Sequence, residues 1–245
     1  MPSLLLNYAV VVFDVGGTLL RLNLDALAQA YLDQAQAIDV VLDFEQTRQV
    51  IAQLELELPL WQQSRAISLE QDNGREFWIN FYTEGFRRLG VTQNVTCAAD
   101  EIRARFQRAE FESLFDDVRP TLDALAARGL CLGILSNYSQ NLERVLNQVG
   151  IHHYFRFFVI SAIARLEKPD PRIFDLTVRT ANYPREQIVY IGDSIFHDIE
   201  GAQRAGVDAI LVDRANRYPD FAGRRIGDLT ELVDGGILCP RGMKK

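Results

Sequence analysis

Five short runs of aliphatic, β-branched and aromatic residues recur along this chain, most of them followed by a stretch with helical spacing. They are YAVVVF at 8–13, CLGILS at 131–136, YFRFFVIS at 154–161, IVYIGD at 188–193 and DAILVD at 208–213. A strand that is apolar at nearly every position, rather than at every second one, has both faces covered. Such strands separated by helices imply an α/β architecture: a doubly wound, Rossmann-like parallel sheet with helices on both faces.

The interval between the first two runs breaks the alternation. Four sets of residues there keep helical spacing: Leu24, Leu27, Ala28, Tyr31 and Leu32; Phe44, Thr47, Ile51 and Leu54; Phe77, Trp78, Phe81, Tyr82 and Leu89; and Ile102 with Phe106. No convincing strand lies between residue 13 and residue 131. The pattern predicts an inserted all-helical domain over residues 21–111, and an α/β core built from 1–20 and 112–245. A chain of 245 residues has room for both. The connections fall at RLNL (21–24) and FESLFDDVRP (111–120). Phe77, Trp78, Phe81 and Tyr82 read as packing between inserted helices. Near the C-terminus, Asp228 and Glu231 have the spacing of an N-cap and its first-turn partner.

Composition excludes several partners. The formal charge of −7 is spread along the chain, with no basic stripe for nucleic acid and no polybasic cluster for anionic lipid. The apolar stretch SLLLNYAVVVF lacks a basic flank and a cleavage site and is too short to cross a bilayer, so neither a membrane span nor a signal is expected. Cys97, Cys131 and Cys239 are scattered, odd in number and without metal-ligand spacing, which fits a reducing cytoplasm. Cys131 reads as inert core within its strand.

In an open parallel sheet, ligands bind at the carboxyl ends of the strands. The polar residues at those ends are Asp14, then Ser136 and Asn137, then Lys168, then Asp193 and Asp198. Each alone reads as a cap, a turn former or a solvated charge. Together they place acids and a cation along one edge. The chain has 23 arginines but only three lysines, and two of those, Lys244 and Lys245, end it. Lys168 therefore stands out: a compact ammonium suits a small oxygen anion where a guanidinium fork is too large.

The segments FDVGGTLL (13–20), GILSNYS (133–139), EKPDPRIF (167–174) and YIGDSIFHDIEGAQRAG (190–206) resemble, in order and spacing, the four motifs of the haloacid dehalogenase-like hydrolase superfamily. The helical insertion falls where such enzymes carry a cap. The resemblance implies a phosphatase acting on a small phosphorylated metabolite, with Asp14 as nucleophile and an aspartyl-phosphate intermediate. It further implies Mg²⁺ held by Asp14, the Gly16 carbonyl, Asp193 and Asp198, directly or through water. Thr18, Ser136 and the amide of Asn137 would hold substrate, and Lys168 would offset the charge of Asp14 and the phosphate.

One position departs from the pattern. Phosphatases of this superfamily usually carry a second aspartate two residues after the nucleophile, as the acid for the leaving group; here it is Gly16. His197, Asp198 or the cap could substitute, although His197 reads as a locally satisfied helix-start residue. Two rivals remain, and a third falls away. A dehalogenase needs no such acid, but typically has an aromatic residue at this position and no use for the paired carboxylates. A phosphonatase-like Schiff base is excluded, because residues 21–111 contain no lysine. A catalytically impaired phospho-ligand-binding protein is the non-enzymatic alternative. Arg21 reads equally as an anion contact or a hinge, His152 and His153 as a surface loop.

Overall fold

Asn23 and Asp170 start helices for the same physical reason: a short side-chain oxygen caps an exposed backbone N–H. Asn23 accepts from Ala26 at 3.0 Å and Asp170 from Arg172 at 2.9 Å, the latter with Pro171 in the first turn. The computed structural model describes residues 8–62 and 65–234. Along the chain come β1 (Val10–Phe13), β2 (Leu20–Leu22), α1 (Leu24–Gln36), α2 (Phe44–Gln62), α3 (Arg75–Arg88), α4 (Val95–Gln107), β3 (Glu112–Leu114), α5 (Val118–Ala127) and β4 (Cys131–Ser136). They are followed by α6 (Leu142–Gln148), β5 (Phe157–Ile160), α7 (Ser161–Ala164), α8 (Pro171–Ala181), β6 (Ile188–Gly192), α9 (Gly201–Arg204), β7 (Asp208–Val212), β8 (Arg225–Ile226) and α10 (Glu231–Asp234).

Six strands form one parallel sheet in the order β5-β4-β1-β6-β7-β8. From β1 the chain winds outward to β4 and β5, and the second half winds the other way through β6, β7 and β8. The reversal lies between β1 and β6, the place where this class of sheet opens a crevice at its carboxyl edge. Val10, Val11, Val12 and Phe13 are all fully buried, as expected for a strand covered on both sides. On one face Val10, Val12, Leu135 and Tyr190 pack with Ile173 and Phe174 of α8 and Ala202 of α9. Each such side chain contributes about 1.5 to 3 kcal/mol by leaving water.

The chain divides into two units, one reaching to Arg21 and resuming at Leu114, the other Leu22–Ser113. The division falls inside β2 and β3, which pair as a two-stranded ribbon. The second unit is the helical insertion, α1 to α4 around one apolar cluster. Tyr31 of α1 sits fully buried there, its ring 4.4 Å from that of Phe86 and its hydroxyl donating to the Tyr82 carbonyl at 3.1 Å. A side chain at Gly85 would overlap Tyr31, so the bare glycine lets α3 receive the ring. Phe77, Phe81 and Tyr82 are buried and Trp78 partly so, packed among these helices.

Three strands were not legible in the sequence. β2, β3 and β8 run for two or three residues, too short to show a period, and β2 and β3 replace the strand-free interval expected there. Cys131 is half-buried rather than core. His152 and His153 form a 3₁₀ turn, with His152 Nε2 3.0 Å from Glu143. At the C-terminal helix start, Asp228 accepts from the Thr230 N–H at 2.8 Å and Glu231 from the Gly227 N–H at 2.6 Å, a reciprocal cap. Cys239, Lys244 and Lys245 lie outside the described residues.

Candidate active site

Strand register puts the first acid in place. Phe13 pairs with Ile134 of β4 and Ile191 of β6, so Asp14 stands one step beyond, level with Leu135 and Gly192. Its N–H donates to the Ile191 carbonyl at 2.8 Å, fixing it at the carboxyl edge. Asp193 follows β6 directly. Asp198 lies on a π-helical turn, Ile195–Glu200, whose wide winding turns the carboxylate back to accept from the Ser194 N–H at 2.9 Å. One oxygen from each of Asp14, Asp193 and Asp198 lies within 4.8 Å of the others.

Lys168 is buried among them. Its ammonium has three protons and three acceptors: Asp14 Oδ1 at 2.7 Å, Asp198 Oδ1 at 2.6 Å and the Tyr190 hydroxyl at 2.9 Å. The Asn137 side chain clamps the lysine backbone from both sides, accepting from its N–H at 2.8 Å and donating to its carbonyl at 2.9 Å. Ser136 donates to Asp14 Oδ1 at 3.0 Å. Burial of ions this deep costs several kcal/mol each, and only this density of partners offsets it.

The electrostatics follow from burial. Burial pushes the Asp14 carboxyl up, with the Lys168 charge pulling against it. Burial pulls the Lys168 ammonium down, but Asp14 and Asp198 outweigh it and hold the amine above its ordinary value. Asp193 is pushed up to about 7, by burial first and then by Asp14 and Asp198. The cation facing Asp193 is Arg217, with Nη2 3.3 Å from Oδ2. With all acids ionised, three carboxylates meet two cations and one negative charge is left over. The donors are hard oxygens, so the residues fit a hard divalent cation such as Mg²⁺.

Glycines leave the room these acids occupy. Gly17 has φ of 75°, and a side chain there would overlap the Asp193 carboxylate; one at Gly192 would overlap that of Asp198. Gly16 differs: it is exposed, and a Cβ there meets nothing within 4 Å. Thr18 is fully buried with its hydroxyl unpartnered, and its carbonyl accepts from Arg214 Nη2 at 2.8 Å. The structure thus gathers Asp14, Ser136, Lys168, Asp193 and Asp198, keeps Asn137 behind the lysine, and sets Thr18 into the turn below. His197 is half-buried beside Ser194, its Nδ1 3.3 Å from Oγ, and burial followed by the Lys168 charge lowers its pKa. Arg21 lies 3.1 Å from Asp116.

Sequence reasoning missed two residues. Tyr190 hides in an apolar strand, where its ring packs edge-on against Phe174; the signal was a hydroxyl three residues before the acid. Arg217 sits in a loop among many arginines, with no signal at all.

The family model for haloacid dehalogenase-like hydrolases matches residues 8–206. The chain belongs to this family. The matched span contains every carboxylate of the cluster and Lys168, whereas Arg214 and Arg217 lie beyond it. "Haloacid dehalogenase-like hydrolase domain-containing protein 3" of Homo sapiens is 29% identical over 213 residues, spanning 84% of this chain and 82% of that protein. "Glyceraldehyde 3-phosphate phosphatase" of Methanopyrus kandleri is 34% identical over 149 residues, 60% of this chain and 63% of that protein.

Solved structures agree on the fold. The HAD-hydrolase YfnB of Bacillus subtilis, bound to magnesium, superposes with a TM-score of 0.71 at 21% identity, covering 92% of this chain and 97% of that one. A 2-haloacid dehalogenase of Pseudomonas syringae pv. Tomato gives 0.61 at 24% identity, covering 93% and 97%. At these identities the likeness is one of fold alone. Among the described residues, no helix is long and apolar enough to cross a membrane.

Proposed function

We propose that this hydrolase is a Mg²⁺-dependent phosphatase of a small phosphorylated metabolite, with the helical unit serving as its cap. The observation that carries the reading is the acid cluster: Asp14, Asp193 and Asp198 offer three oxygen donors within 4.8 Å of one another, and the two buried ones, Asp14 and Asp198, share Lys168. Asp14, Asp193 and Asp198, with the Gly16 carbonyl, would hold the cation, which when bound supplies positive charge for an incoming phosphate. The 34% identity to a phosphatase over 60% of the chain supports attack on phosphorus rather than on a halogen-bearing carbon.

Asp14 attacks phosphorus, the ester oxygen leaves, and water then cleaves the aspartyl-phosphate to restore the carboxylate. Ser136 and Lys168 both meet Asp14 at Oδ1, which orients the carboxylate before substrate arrives. Since all three lysine protons are engaged inside the cluster, its first task is to hold the nucleophile and Asp198. Ser136 and the backbone amide of Asn137, one step along the same edge, would meet phosphate oxygens. Gly16 transfers no proton, so the leaving alkoxide goes without the usual help, worth about 10²- to 10⁴-fold. Esters of acidic alcohols and acyl phosphates are therefore the favoured substrates.

The test is phosphate release from a panel of phosphorylated metabolites with and without Mg²⁺, alongside beryllofluoride trapping at Asp14. Turnover that needs Mg²⁺ and disappears in Asp14→Asn supports the reading. Trapping without turnover favours a phospho-ligand binder, the alternative that Gly16 itself suggests. Chloride release from 2-chloropropionate without Mg²⁺ would replace both with dehalogenation.

A further inference from the structure

Asp213 directly follows β7 as a carboxylate with a fully buried side chain, and it is occupied by the loop that follows and by Arg225 of β8. It accepts from the N–H of Arg217 at 2.7 Å, the N–H of Tyr218 at 2.8 Å and Arg225 Nη1 at 2.9 Å. Asn216 takes the left-handed conformation, φ 51°, and its side-chain oxygen accepts a second bond from Arg225 at 2.7 Å. A buried carboxylate is costly unless satisfied, so a loop that satisfies it through the backbone of residues 217 and 218 is held to one shape. Arg217 therefore leaves a fixed point of backbone, aimed at Asp193.

Its contact there is incomplete. Nη2 stands 3.3 Å from Asp193 Oδ2, longer than the usual 2.7 to 2.9 Å of a charge-assisted bond, and the side chain is 51% exposed. The fork of a guanidinium matches a two-oxygen anion, and among the described residues only one of its nitrogens is engaged. Asp14 and Asp198 share Lys168, so Arg217 is the cation that faces the third acid.

We infer that Arg217 changes partners: it neutralises Asp193 while no divalent cation is bound, and turns to a non-bridging phosphate oxygen of the substrate once the cation takes that carboxylate. The inference rests on the reading of Asp193 as a Mg²⁺ ligand. Two cations on one carboxylate in a half-buried site repel, and the exposed, less tightly bound guanidinium is the one that yields. The loop held by Asp213 keeps it within reach of the anion that arrives next. Arg217 is then both a gate on metal affinity and a phosphate contact, and it lies outside the span that the family model matches.

The two roles have opposite signs in one variant, which a merely structural arginine would not produce. Titration calorimetry on the full chain compares wild type, Arg217→Ala, Arg217→Lys and Asp193→Asn, first with MgCl₂ alone and then with inorganic phosphate at saturating Mg²⁺. Arg217→Ala is expected to bind Mg²⁺ about three- to fivefold more tightly, the range of an exposed ion pair. It is also expected to bind phosphate about tenfold more weakly, the loss of one charge-assisted bond. Arg217→Lys keeps the charge and not the fork: Mg²⁺ affinity stays within about twofold of wild type and phosphate affinity falls between the other two. Unchanged or weaker Mg²⁺ binding in Arg217→Ala, or unchanged phosphate binding, overturns the exchange while leaving the metal reading intact. A wild type that takes up no Mg²⁺, or an Asp193→Asn variant that binds it as well as wild type, overturns the metal reading and this inference with it.

Discussion

Lys168 shows how much one residue carries. Its ammonium is the shared partner of two buried carboxylates and a buried phenol, so the isosteric Lys168→Met leaves Asp14 and Asp198 facing each other without a counter-charge. Breaking a buried pair this way costs about 3 to 5 kcal/mol. Urea unfolding of the variant measures it, and a loss under 1 kcal/mol shows the acids to be neutral in the folded protein. Gly16 is the opposite case. Nothing lies within 4 Å of where its Cβ would be, and its φ is not in the left-handed range, so the glycine is not required by the turn. Gly16→Asp is expected to change stability by no more than about 0.5 kcal/mol. It should raise turnover of a sugar phosphate by about 10²-fold, and that of p-nitrophenyl phosphate by much less, because the poorer leaving group gains most from an acid. Equal or lower rates on both substrates end the missing-acid explanation. Lys168 was legible from its place beyond the third strand run and from the scarcity of lysine. Tyr190 was not, because a tyrosine in a buried strand looks like packing until its hydroxyl is seen 2.9 Å from the ammonium.

Among the elements, the turns after β1 and β6 do the placing. The Gly17 turn and the π-helical turn at Ile195–Glu200 bring Asp193 and Asp198 against Asp14, and Gly17 and Gly192, the last residue of β6, stand where a side chain would collide with a carboxylate. Gly17→Ala adds left-handed strain to that collision and is expected to cost about 1 to 3 kcal/mol. It should also weaken Mg²⁺ binding at least several-fold, measured by calorimetry; intact metal affinity would show that Asp193 can move aside freely. The loop after β7 is built to the same end. Arg214 lies 3.8 Å above the Phe115 ring and pairs with Asp117 at 2.9 Å, while Nη2 holds the Thr18 carbonyl, tying that loop to the turn below Asp14. The long strands and the helices of the insertion announce themselves by period. β2, β3 and β8 do not, since pairing across the sheet, not local pattern, makes two or three residues a strand.

At the scale of the whole molecule, the helical unit carries its own titrating group. Burial pushes Glu55 of α2 up to about 7, and its charge would also push the buried Tyr31 phenol higher. A carboxyl raised in the folded state binds its proton more tightly there than in the unfolded chain. Its contribution is present in full below the unfolded value near 4.5 and is lost as pH rises through 7. Thermal or urea unfolding of the helical unit should therefore weaken between pH 5 and pH 8, by about 2 to 3 kcal/mol at most from this group. Glu55→Gln should remove that part of the slope; an identical slope in the variant assigns it elsewhere. By itself the sequence determined the parallel sheet, the inserted helices and the polar residues at the strand ends, because apolar run length and helical spacing report how each segment is buried. Only the tertiary structure decided that β1 lies between β4 and β6, that residues 14, 193 and 198 converge within 4.8 Å, and that Arg217 faces one of them. Those meetings depend on strand order and turn geometry across nearly 200 residues of chain, from Asp14 to Asp198, and no local pattern encodes a distance of that kind.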